Sequence, residues 1–184
     1  MNNHLQEVRW SENVILADAD YIDRVAFNLI VNFERMLGRR IPQADIARWI
    51  DCVALDGGIR EGEHETQVVL IHQKGKQGLE NFVPSAYHEL DGKAFKDHLG
   101  EFAINAYPIE QIAGEDFFTE VLSLVTAQKE VKRVMVIPNL EDDISTNNNG
   151  LNDLTLLHNA TRGRILHGRD DDVTDICISS GRAS

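Results

Sequence analysis

Four apolar residues in a row, Val14 to Ala17, lie between polar Asn13 and Asp18 and predict a short buried strand. The rhythm then turns helical. Ile22, Val25, Ala26, Leu29, Phe33 and Leu37 recur at three- and four-residue spacing, which marks one apolar helix face. Gly38 with Arg39 and Arg40 predicts the stop, a glycine at the end and cations near the negative end of the dipole. Pro42 predicts the opening of a second helix with the stripe Ile46, Ala47, Ile50, Val53 and Ala54, closed by Gly57-Gly58. Strands follow at "TQVVLIHQ" (66–73), at "EFAINAYPI" (101–109, ending at Pro108) and at "KRVMVIPN" (132–139). Between the last two, "GEDFFTEVLSLVTAQKEV" predicts a helix with Phe117, Phe118, Val121, Leu122 and Val125 inward and Glu115 and Asp116 in its first turn. "GLNDLTLLHNA" reads as a helix, "RGRILHG" as a strand, and "VTDICIS" (173–179) as a final strand.

Near-continuous apolar strands separated by helices predict an α/β fold, three layers with a mostly parallel, Rossmann-like sheet and helices on both faces. With 184 residues, no repeat and no linker-like stretch, residues 1–184 are expected to form a single domain. Residues 74–100 exceed an ordinary crossover and are expected to be a long insertion or flap, and 141–150 is a polar loop.

Thirty acids against 18 bases give a formal charge of −12, which weakens long-range attraction to nucleic acid or to an anionic membrane. No apolar stretch nears the ~20 residues that span a bilayer, and the first residues lack a secretory pattern, so a cytoplasmic location without membrane contact is expected. Cys52 and Cys177, both in apolar contexts, read as buried reduced thiols.

Candidate chemistry lies in the acids that follow strands, because ligands of open parallel sheets bind at strand carboxyl ends near a switch in strand order. Asp18, Asp20 and Asp23 follow the first strand; Asn139, Glu141, Asp142 and Asp143 follow "VMVIP"; Asp170 to Asp172 follow "RGRILHG"; Glu115 and Asp116 open a helix. Carboxylates gathered at one rim raise each other's pKa unless cations sit between them. Hard ions such as Mg²⁺ or Mn²⁺ take such oxygen ligands and activate water for phosphoryl displacement.

In order, "NVILADADYID", helix, strand, "AGEDFFTEVLSLV" and "VKRVMVIPNLEDD" resemble the PIN/NYN-type nuclease superfamily over about residues 13 to 143. The resemblance implies a Mg²⁺ or Mn²⁺ site held by Asp18, Asp20, Asp116, Asn139 and Glu141, with Asp18, Asp20, Asp116 and Glu141 catalytic in a phosphodiesterase acting on RNA. Asn139 and Glu141 stand where that superfamily usually has two aspartates, Tyr21 replaces its usual Asn, and Ile137-Pro138 replaces its Ser-Gly. As a whole the chain also resembles a bacterial domain-of-unknown-function family.

Plainer readings stand beside these. Asp18 and Asp20 sit where Asp is a favoured helix cap, and first-turn acids such as Asp116 suit the dipole alone. The rival function is therefore a non-catalytic α/β protein of the same fold that binds a protein partner or forms a homodimer. Lys74, Lys76, Lys93 and Lys96, with Phe82, Tyr87 and Phe95, are either a solvated loop or a grip on RNA. A calcium loop fails because Leu156 falls where the bidentate acid belongs. The seven histidines form no HxH or HxxxH pair, so zinc is not expected, and no GxSxG elbow occurs. "LDGGIREG" lacks a phosphate-loop order, so neither a nucleotide nor a flavin cofactor is indicated. Cys52, within the second helix, reads as a packed thiol rather than a nucleophile.

Overall fold

The computed structural model describes residues 9–110, 114–139, 165–167 and 174–178. β1 (Asn13–Asp18) leads into α1 (Ala19–Leu37). The helix starts there because Asp18 Oδ1 accepts the Tyr21 N–H at 2.9 Å, and it stops because Gly38 takes φ 63° and returns its N–H to Glu34 O. β2 (Ala44–Asp45) and α2 (Ile46–Asp56) follow, then β3 (Glu65–Gln73), β4 (Phe82–Val83), α3 (Tyr87–Leu90), β5 (Ala94–Asp97) and β6 (Gly100–Ile109). After α4 (Gly114–Thr126) come β7 (Arg133–Ile137), β8 (Ile165–His167) and β9 (Thr174–Ile178).

Seven strands form one sheet in the order β5-β6-β3-β1-β7-β9-β8. The five inner strands are parallel, while β5 and β8 run antiparallel at the two edges. β1 is central, with Asn13 level with Thr66 of β3 and Arg133 of β7. Its neighbours run outward to earlier-formed strands on one side and later ones on the other, the topological signature of a doubly wound, Rossmann-like sheet.

Strand alternation divides the apolar residues between two layers. Ile15, Ala17, Val68, Leu70, Met135 and Ile137 meet Ile22, Val25 and Ala26 of α1 and Trp49, Ile50 and Val53 of α2. Val14, Leu16, Val69, Ile71, Val134 and Val136 meet Phe118, Val121, Leu122 and Val125 of α4, with Trp10. Burying each such side chain stabilises the fold by roughly 1.5–3 kcal/mol, an upper bound given a partly collapsed unfolded chain. One glycine is obligatory. Gly100 has φ 105°, and a Cβ there would strike the backbone of His64.

Two predicted boundaries are corrected. The second helix begins at Ile46 rather than Pro42, because Asp45 caps it, accepting from Ala47 N at 2.9 Å, while Ala44 and Asp45 pair with Phe82 and Val83. The third strand runs past Pro108 to Ile109. Ile104 and Ala106 send their N–H groups outward, to Lys93 O and Asp91 Oδ1, and Pro108 falls on that same side, so the β3 ladder asks no N–H of it. Residues 74–100 are folded throughout: β5 extends the sheet, and Leu79, Phe82, Tyr87, Leu90 and Leu99 enter the α1–α2 core. Cys52 is half-buried, not enclosed. The predicted 141–150 loop, the helix at 150–160, the acids 170–172 and the Cys177 side chain lie outside the described residues.

Candidate functional site

The carboxyl edge of the sheet is where the sequence-derived candidates fall. β1 ends there between β3, which follows it in the chain on one side, and β7 on the other, so the switch in strand order lies at Asp18. Asp18 and Asp20 flank this point, Asn139 follows β7, and Asp116 occupies the first turn of α4. The side chain of Asp116 and all of Glu141 lie outside the described residues.

The three acids after β1 each meet a backbone donor of a different element. Asp18 Oδ1 takes Tyr21 N at 2.9 Å and caps α1. Asp20 Oδ2 takes Gln73 N at 2.8 Å, fixing the last residue of β3 to the first turn of α1. Asp23 takes Glu80 N at 3.1 Å and Asn81 N at 2.9 Å, while Asn81 Nδ2 donates to Asp23 Oδ1 and to its carbonyl. Charge-assisted bonds to N–H groups are among the stronger hydrogen bonds, so "ADADYID" is a clamp holding α1, β3 and the 74–100 segment together. Across the switch point, Arg24 Nη2 donates to Asn139 Oδ1 at 3.1 Å, which brings a cation, not another acid, beside β7.

Tyr87 and His72 complete this edge, and neither was singled out from sequence for such a role. His72 ends the apolar run of β3 and is buried; its ring stacks on Tyr87, with centroids 3.7 Å apart and planes 10° from parallel. Burial, and then the fields of Asp20, Asp23 and Asp18, push the Tyr87 phenol above its ordinary range. All three carboxylates therefore bear on one hydroxyl. A polar residue closing a strand that is otherwise apolar was the available signal for His72; Tyr87 left none, because its partner is 15 positions away.

Of the five ligands expected for a metal, the structure describes the side chains of Asp18, Asp20 and Asn139. Among the described residues no three His, Cys, Asp or Glu side chains come together as a cation site. The expected lysine grip is dispersed as well. Lys74 pairs with Glu110 at 3.1 Å near the carboxyl edge, whereas Lys96 pairs with Glu63 at 2.7 Å at the amino edge, where its strand position faces Glu101. Phe82 and Tyr87 are core residues and Phe95 stacks on Phe102, so the aromatics of 74–100 are not laid out for stacking bases.

A second polar cluster lies between α2 and the β5–β6 turn. Burial, then a hydrogen bond and repulsion from Asp97, raise the Asp51 carboxyl to about 6, while His98 opposes and Asp45 adds to the rise. Asp97 Oδ1 accepts Leu99 N at 2.8 Å, which holds this carboxylate at the β5–β6 turn beside Asp51. Asp51 Oδ1 is buried without a hydrogen-bond partner among the described residues.

Fold and edge together define a doubly wound α/β domain with an acid-clamped switch point, and no described helix is long and apolar enough to cross a membrane. The chain belongs to the family described as "Family of unknown function (DUF6621)", which matches residues 7–169. Neither the curated proteins nor the solved structures contain a match.

Proposed function

We propose that this chain is a non-catalytic α/β binding module of PIN/NYN-like architecture, in which the acids of the carboxyl edge brace the fold and recognition takes place on another surface. One observation carries the reading: Asp18, Asp20 and Asp23 accept backbone N–H groups from three separate elements. An acid held this way is oriented by the fold and needs no ion to be tolerated beside its neighbours. Arg24, at Asn139, adds positive charge to the same edge.

The metal-dependent phosphodiesterase remains the second reading, supported by the position of Asp18, Asp20 and the first turn of α4 around the switch in strand order. In that reading Mg²⁺ or Mn²⁺ would be held by Asp18, Asp20, Asp116, Asn139 and Glu141 and would supply an activated water. Thermal melts of the native protein and Asp18→Asn with and without millimolar Mn²⁺ separate the two, since a ligand specific to the native state raises Tm by mass action. The module reading expects the same Tm for each protein with and without Mn²⁺, and no RNA cleavage. A Mn²⁺-dependent rise in the native protein that Asp18→Asn loses would overturn it.

A further inference from the structure

We draw no further inference here: the strongest candidate, the pocket at the amino edge of the sheet lined by Trp10, Glu12, Glu63, Glu65 and Glu130, rests on an acidic cluster that asks for a cation, whereas the unpartnered buried atom beside it, Trp10 Nε1, is a donor that asks for an acceptor, so nothing in the structure shows what occupies it.

Discussion

Asp51 offers a perturbation whose size can be worked from the structure. Its carboxyl is raised from 3.8 to about 6 in the fold, first by burial and then by Asp97. For a raised acid the neutral form is the one the fold favours. The stabilisation it brings is complete below the unfolded pKa of 3.8 and is lost as pH climbs through about 6. At ~1.4 kcal/mol per unit the limit is about 3 kcal/mol, but Asp51 is half-buried and solvent screening reduces this to about 1 kcal/mol. Asp51→Asn keeps a neutral, hydrogen-bonding group at every pH. It should match the native protein near pH 3.5, exceed it by about half of the full effect near pH 5 and by about 1 kcal/mol near pH 7.5, the last a Tm rise of roughly 2–4 °C for a chain of this size. Urea melts of both proteins across that range measure the difference directly, and subtraction removes the titration of groups the two share. A difference that is flat with pH, or that favours Asp51 near pH 7.5, would refute the account of Asp51 as an acid held neutral by burial and by Asp97.

Other outcomes follow from the same structure. Asp20→Ala should cost about 1–3 kcal/mol by leaving Gln73 N without its acceptor, and hydrogen exchange should show that amide losing protection first. Asp18→Ala should cost about 1 kcal/mol as a lost cap, while Asp18→Asn keeps most of it, so equal losses would argue against capping. Gly100→Ala combines φ 105° with a clash against the His64 backbone, and should cost several kcal/mol, read as failure to yield folded protein.

Long apolar runs and strong helical periods were readable from residues alone. β1, β3 and β7 needed nothing beyond Val14–Ala17, Val68–Ile71 and Val134–Ile137, and α1 ended at Gly38 where glycine and arginines said it would. The alternation within 94–97 was too short to separate a strand from loop, so β5 became visible only through its pairing with Gly100–Ala103. The site was legible as composition but not as geometry. "ADADYID" announced carboxylates near the switch point; whether they face an ion or a backbone amide depends on Gln73, Glu80 and Asn81, more than 50 residues downstream. Stacking of His72 on Tyr87 is equally a property of the folded chain.

The central position of β1 also sets a schedule for synthesis. The strand made first must wait for β7, more than a hundred residues later, before its second flank is covered. At roughly 5–20 residues per second, a ribosome leaves that flank of Val14–Ala17 bare for several seconds at least. Holdase chaperones should therefore engage nascent chains that stop before residue 133 and release those that reach past 137.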